Sequence, residues 1–257
     1  MTVELEKQDK VTVVTINRPN RKNAVNRSTA EDLAKAFKQF DEDSDSGVAI
    51  LTGIGGVFCA GADLKAFSET QEGNKVELDG DGPMGPTRLL LSKPVIAAVE
   101  GFAVAGGLEL SLWCDLRVAA EDAVFGVYCR RWGVPLVDGG TIRLPRMIGM
   151  SNAMDLILTG RGVEAVEAKS MGLVNRVCKK GESLKVALKL AKDLLKFPQV
   201  CMRNDRLSAY KQWNLSLKEA MIKETELGLE VIKSGETIEG ASRFSLGKGR
   251  HGSFEDD

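Results

Sequence analysis

Residues 92–115, SKPVIAAVEGFAVAGGLELSLWCD, constrain this chain more than any other stretch. The apolar run from Pro94 to Val99 reads as a buried strand. A turn of small residues follows, and Gly106-Gly107 opens an apolar stretch that reads as a helix. A lone carboxylate, Glu109, falls in its first turn. Glycines let a ligand approach the backbone, and the first N–H groups of a helix have no internal partner. Such donors beside a carboxylate suit chemistry in which charge develops on an oxygen while a proton moves. Taken alone, the stretch reads as an ordinary strand-to-helix turn with an acid favoured by the helix dipole. The rest of the chain decides between the two.

A second turn of the same kind lies upstream. Val48–Thr52 reads as a strand, and GIGGVFCAGADLKAF follows from Gly53. A dinucleotide fingerprint fails here, because Gly53 and Gly55 fit but the third glycine position is Phe58. Gly61 and Ala62 instead form a small-residue turn into a short helix at Asp63. Two such turns brought together supply the paired N–H donors that an oxyanion needs.

The remaining pattern alternates strands and helices, which argues an α/β fold with parallel pairings. Val11–Asn17 reads as a strand, followed by a turn carrying Arg18, Arg21 and Lys22. Ser28 and Glu31 have capping-box spacing for a helix through about Phe40, with Leu33, Ala36, Phe37 and Phe40 on one face. Ser68–Pro86 has no periodicity and reads as a loop over the site, and Thr87–Leu91 as a short helix. Asp138 precedes Gly139-Gly140 at another helix entrance, where an N-cap is its ordinary role. Helices are expected over Ser151–Thr159 and Val163–Met171, and a strand end over Val174–Cys178. From Ser183 the pattern is helical, broken at Pro198 and at Gly235-Glu236.

Bulk properties narrow the function classes. Thirty-five basic and 36 acidic residues give a net charge of −1, which offers nothing to nucleic acid or an anionic membrane. Five cysteines without a C-x-x-C pair read as reduced thiols in a cytoplasmic protein. The single histidine, His251, excludes a multi-histidine metal site, and no run is long enough for a membrane span.

Together the residues resemble the enoyl-CoA hydratase/isomerase (crotonase) superfamily. The matching runs are NRPNRKNAV (17–25), FCAGADL (58–64), KPVIAAVEGFAVAGGLELSLWCDLRVA (93–119), FGVYCRRWGVP (125–135), DGGTIRLPRMIG (138–149) and LTGRGVEAVEAKSMGLVNRV (158–177). The resemblance implies a spiral of β-β-α units in two roughly perpendicular sheets, with a helical C-terminal trimerisation region. It divides the chain into a core with the acyl-CoA site (1–197) and a helical region for packing and oligomerisation (198–257). A homotrimer or a dimer of trimers is implied.

The same resemblance assigns a site. The amides of Ala62 and Gly106 hold the thioester oxygen, and Glu109 is the acid–base. Hydratases resembling this chain carry a second glutamate, and that position falls on Cys129 here. Asp138 lies where some relatives place a catalytic aspartate. Coenzyme A is expected against Arg21, Lys22, Ala24, Ala60, Gly61, Asp63, Leu64 and Gly107, with Lys248 from the C-terminal region. Cys129 and Arg130 line the acyl side, where Arg130 and Arg131 are placed to pair with Asp138 or an acyl carboxylate. The implied reaction is enoyl-CoA hydratase-like, with no metal and no cofactor beyond coenzyme A as part of the substrate. The alternatives are enoyl- or dienoyl-CoA isomerisation, decarboxylation, hydrolysis, and a non-catalytic acyl-CoA-binding or RNA-binding relative.

Overall fold

The computed structural model describes residues 2–70 and 72–248. Arg250, a phosphate partner expected beside Lys248, and His251 lie outside the described residues. The chain divides into two compact units, Met1–Ala191 and Lys192–Asp257.

The first unit is built on a six-stranded sheet in the order β1-β2-β3-β4-β6-β9. These strands are β1 (Val3–Gln8), β2 (Val11–Ile16), β3 (Val48–Gly53), β4 (Val95–Val99), β6 (Leu116–Ala120) and β9 (Arg176–Cys178). The β1–β2 pair is an antiparallel hairpin, and every later pairing in the sheet is parallel. A second sheet of three residues per strand, β5 (Phe102–Val104), β7 (Val124–Gly126) and β8 (Gly162–Glu164), has the order β5-β7-β8. Every residue of β4 is buried, as expected of a parallel strand covered on both faces.

Helix α1 (Arg27–Glu42) buries Leu33, Ala36, Phe37 and Phe40, the face read from the sequence. Its cap is Asn26 rather than Ser28: Asn26 Oδ1 accepts from the amide of Thr29 at 3.2 Å. Glu31 pairs instead with Lys75 at 3.0 Å. Helix α2 (Leu64–Glu69) follows the first small-residue turn, and α3 (Gly106–Trp113) the second. All eight residues of α3 are buried. A helix apolar all round has no solvent face, so it carries Glu109 into the interior. The Arg117 guanidinium closes its far end, Nη1 donating to the carbonyls of Ser111 (3.0 Å) and Cys114 (2.7 Å).

Helix α4 (Gly140–Thr159) starts at the entrance expected at Gly139-Gly140 and runs on through the helix expected over Ser151–Thr159, with a kink at Gly149 where φ is +77°. Strand β8 takes the start of the segment read as helical from Val163, leaving α5 as Ala165–Ser170. The short helix expected over Thr87–Leu91 is a single 3-10 turn at Pro86–Arg88. Helix α6 (Ser183–Leu195) follows β9.

The second unit holds α7 (Gln199–Lys211), α8 (Leu217–Ser234) and α9 (Glu236–Ser245). Pro198 and Gly235 stand at the breaks, as expected. Ser216 and Glu219 form a reciprocal capping box on α8, and the Glu236 carboxylate accepts from the amides of Val200 (3.0 Å) and Cys201 (2.9 Å). Among the described residues no helix is long and apolar enough to cross a membrane.

Candidate active site

The two small-residue turns meet. Cys59 forms a bridge with Ala103 of β5, and the Val104 amide donates to the Cys59 carbonyl at 3.1 Å. A side chain at Gly107 would begin 2.1 Å from that same carbonyl oxygen, so only glycine lets α3 approach this closely. Gly61 sits at φ +101°, and a Cβ there would lie 2.8 Å from Ala105 Cβ and 3.0 Å from the Gly106 nitrogen. Ala105 itself is held at φ +54°, ψ −125°, a conformation costing about 1–3 kcal/mol for a residue with a Cβ. That strain sits one residue before the Gly106 amide, at the start of α3. The amides of Ala62 and Gly106 donate to no backbone carbonyl among the described residues, and both residues line a cavity of about 620 Å³.

Glu109 lines the same cavity and is 2% exposed. Its Oε1 accepts two amides from the start of α4, Asp138 N at 2.9 Å and Gly140 N at 2.8 Å. Both bonds fall on one oxygen, which fixes the carboxyl and leaves Oε2 without a hydrogen bond among the described residues. Burial is the main force raising the Glu109 pKa, to about 7, and the neighbouring Asp138 charge adds to it. The two amides and Arg143 oppose the shift. The result is a carboxyl poised to take or give a proton near neutrality.

Asp138 is buried at 4% exposure and lines the cavity, but it is not the helix cap. Gly139 holds that position in the left-handed region at φ +91°. The Asp138 carboxylate instead accepts the Met84 amide (2.9 Å) and the Thr87 hydroxyl, both on Oδ1. Burial raises its pKa, opposed by those two donors. Arg143, one turn into α4, donates to the carbonyls of Asp138 (2.9 Å) and Thr87 (2.7 Å). Asp138 therefore joins three pieces of chain: α3 through Glu109, the 82–87 segment, and α4.

Cys129 lines the cavity in a 3-10 turn, Tyr128–Trp132, and is buried. Burial raises its pKa and the Glu109 charge raises it further, so it stands as a neutral thiol. Among the residues expected against coenzyme A, Lys22, Ala60 and Leu64 line the cavity. Asn74, Val76, Pro83 and Met84 also line it, so the irregular 72–85 segment does border the site.

Other expected residues stand apart. Asp63 caps α2, accepting from the Ala66 amide at 3.2 Å, and pairs with Arg18 at 3.0 Å. Ala24 is buried, with its carbonyl taken by the Arg18 guanidinium. Arg21 is exposed and outside the cavity lining, and Gly61 and Gly107 support the turns from behind. Arg130 does not reach Asp138: its Nε donates to the Ile157 carbonyl at 3.1 Å. Arg131 donates to the Gly160 carbonyl at 3.0 Å and stacks on Tyr128. The cations whose charge reaches the Asp138 carboxyl are Arg88 and Arg143. Lys248 is exposed in the second unit. Thr87, Met84 and Arg143 were not legible as site residues, since no local motif marks them.

Nothing in the site has the composition of a metal centre: among the described residues no group of three His, Cys, Asp or Glu side chains is placed to hold an ion. The arrangement provides two backbone donors, a fixed carboxyl of near-neutral pKa, and a largely apolar chamber.

Residues 6–251 match the family model described as enoyl-CoA hydratase/isomerase. Enoyl-CoA hydratase EchA19 of Mycobacterium tuberculosis is 37% identical over 248 residues, covering 94% of this chain and 92% of that protein. A short-chain-enoyl-CoA hydratase of Clostridium acetobutylicum is 37% identical over 227 residues, 87% of each chain. The crystal structure of enoyl-CoA hydratase EchA1 from Mycobacterium marinum superposes with a TM-score of 0.90 at 38% identity, over 95% of this chain and 96% of that one. With the paired turns, the buried glutamate and this similarity along nearly the whole length, the chain belongs to the enoyl-CoA hydratase/isomerase family.

Proposed function

We propose that this protein is an enoyl-CoA hydratase-like enzyme in which Glu109 performs both proton transfers. The thioester oxygen of an enoyl-CoA accepts from the Ala62 and Gly106 amides. Each such donor contributes about 3–4 kcal/mol to the transition state. As negative charge moves onto that oxygen, the β-carbon becomes electrophilic. Glu109 Oε2 takes a proton from water as the water oxygen bonds to the β-carbon, and the enolate forms. The α-carbon then takes the proton from Glu109, restoring the carboxylate. Asp138 keeps Glu109 in place through its amide. Lys22, at the rim, faces the coenzyme A phosphates. The observation that carries this reading is the pinning of Oε1 by two amides, which commits Oε2 to the chamber.

A second reading is isomerisation of the enoyl double bond. It is favoured by Cys129, a thiol at the position where hydratases resembling this chain carry a second glutamate. Moving a proton from one carbon to another needs only one such group. In either reading coenzyme A enters as substrate, and no metal or further cofactor takes part.

The protein is proposed to act in the cytoplasm as a homotrimer or a dimer of trimers. Five free thiols suit a reducing compartment. In the second unit Leu217, Ile238, Phe244 and Leu246 are 60–81% exposed, which suits burial against a copy of the chain. Light scattering of the purified protein tests the assembly.

The test of function is incubation with crotonyl-CoA, following loss of the conjugated enoyl-thioester absorbance, beside a 3-enoyl-CoA followed for its appearance. Rapid loss that disappears in Glu109→Gln supports hydration. Appearance from the 3-enoyl substrate without loss from crotonyl-CoA supports isomerisation. Unchanged rates in Glu109→Gln overturn both.

A further inference from the structure

The thiol of Cys129 shares one chamber with the carboxyl of Glu109 and the amides of Ala62 and Gly106. In the proposed reaction those amides make the β-carbon of an enoyl-CoA electrophilic, and Glu109 removes a proton from whatever nucleophile attacks it. Water is one such nucleophile. A thiol is intrinsically a much stronger one once its proton is removed. Cys129 stands where hydratases resembling this chain present a second carboxylate to the reacting carbons, and it is close enough to feel the charge of Glu109.

We infer that Cys129 is a covalent capture site for α,β-unsaturated acyl-CoA, adding its sulfur to the β-carbon with Glu109 as the base. The step balances without an oxidant or reductant. The S–H proton passes to the Glu109 carboxylate as the S–Cβ bond forms. The π electrons of the double bond move into the thioester, giving an enolate held by the two amides. Glu109 then delivers the proton to the α-carbon. The product is a thioether between Cys129 and an intact acyl-CoA, and the reverse sequence releases it. Capture removes the enzyme from turnover when enoyl-CoA accumulates, so it acts as a brake set by the substrate.

Selectivity follows from the surroundings. Cys59 and Cys114 are fully buried outside the cavity, and Cys178 and Cys201 are not among its lining residues. Burial holds Cys129 as a neutral thiol, so it is inert to weak electrophiles until substrate and base are aligned with it.

The proposal rests on the acyl-CoA reading of this cavity, and the test separates the two. The protein is incubated with crotonyl-CoA, quenched in acid so that no base remains to reverse the addition, and weighed by intact-mass spectrometry. Peptide mapping then locates the label. The expected result is an increment of one whole crotonyl-CoA on Cys129, absent from Cys129→Ser and reduced in Glu109→Gln. Excess butyryl-CoA, which has no double bond to attack, is expected to suppress the labelling. Butyryl-CoA binding to the wild-type protein is measured separately by calorimetry. Butyryl-CoA binding without a crotonyl-CoA increment overturns the capture while the acyl-CoA reading stands. An increment on another cysteine also overturns it. No binding of butyryl-CoA overturns both.

Discussion

The amide of Asp138 donates to Oε1 of Glu109 at 2.9 Å, while the carboxylate of Asp138 turns away to accept the Met84 amide and the Thr87 hydroxyl. One residue thus positions Glu109 with its backbone and anchors the neighbouring segment with its side chain. Its charge also helps hold Glu109 near pH 7. In the proposed reaction Asp138 acts through Glu109, as a positioning residue.

That division of labour gives signed pH behaviour. With Glu109 acting as a base, kcat/KM of the wild type rises through about pH 7, following the carboxyl's raised pKa. Asp138→Asn keeps an oxygen for the Met84 and Thr87 donors but removes a negative charge beside Glu109. The rising limb is therefore expected to move to lower pH. Asp138→Ala leaves two buried donors without an acceptor, at about 1–3 kcal/mol each, and is expected to lower the denaturation midpoint as well. A limb that stays in place in Asp138→Asn would show that the charge of Asp138 does not reach Glu109.

Glu109 also costs the fold stability at the pH where it works. Its folded pKa, about 7, lies above its ordinary value of 4.5. The unfolded chain therefore releases this proton first. The stability of the protonated form is fully present below about pH 4.5 and is lost as pH rises through 7. The shift corresponds to about 3 kcal/mol at most. Glu109→Gln cannot ionise, and its side-chain oxygen can still accept the two amides. Denaturant titrations are expected to show the variant and wild type close together at pH 5, with the variant more stable at pH 8 by up to that amount. A gap independent of pH would contradict the burial argument.

Local sequence marks where the candidate site lies: Ala62, Gly106 and Glu109 sit at strand–turn–helix junctions of small residues. Composition alone leaves such a junction an ordinary turn, and it is the family resemblance that singles these residues out. Asp138 stands at a helix entrance, as its sequence suggests, but Gly139 takes the cap and the carboxylate goes to partners 51 and 54 residues away. No periodicity reports such distant partners, which is why Thr87, Met84 and Arg143 went unnoticed. The resemblance implies two sheets, but no pattern locates the strands of the second, because three-residue strands are too short for a period-of-two signal. Asn26 takes the cap expected at Ser28 because both side chains can cap, and spacing alone does not choose between candidates two residues apart.

Gly107 makes the closest approach in the site, and its replacement tests whether the two turns must touch. A methyl group there would begin 2.1 Å from the Cys59 carbonyl, which is backbone and cannot rotate aside. Gly107→Ala must push α3 away from the 59–62 turn, at a packing cost of about 1–3 kcal/mol. The Gly106 and Ala62 amides would then diverge. Losing one oxyanion donor costs about 10²–10³ in kcat. The expected outcome is a folded variant with a lower melting temperature and kcat reduced within that range. Unchanged kcat would mean that the amides do not act as a pair.

Cys129→Glu tests what the thiol replaced. Hydratases resembling this chain use two glutamates, and here the second position holds a side chain that stays neutral. A carboxylate there would face the chamber beside Glu109. Two like charges in one site cannot both ionise freely, so one pKa rises and the pair can hold a single proton between them. One group would then activate water while the other protonates the α-carbon. A well-placed general acid or base contributes about 10²–10⁴ to a rate. Crotonyl-CoA hydration by Cys129→Glu is therefore expected to rise by at least tenfold over wild type, with a bell-shaped pH profile replacing the single rising limb, as two coupled groups require. Measuring kcat/KM from pH 5 to 9 in both proteins decides the matter. A rate that falls while the profile keeps one limb would mean that this cavity is built for a one-carboxyl reaction, and would favour isomerisation over hydration.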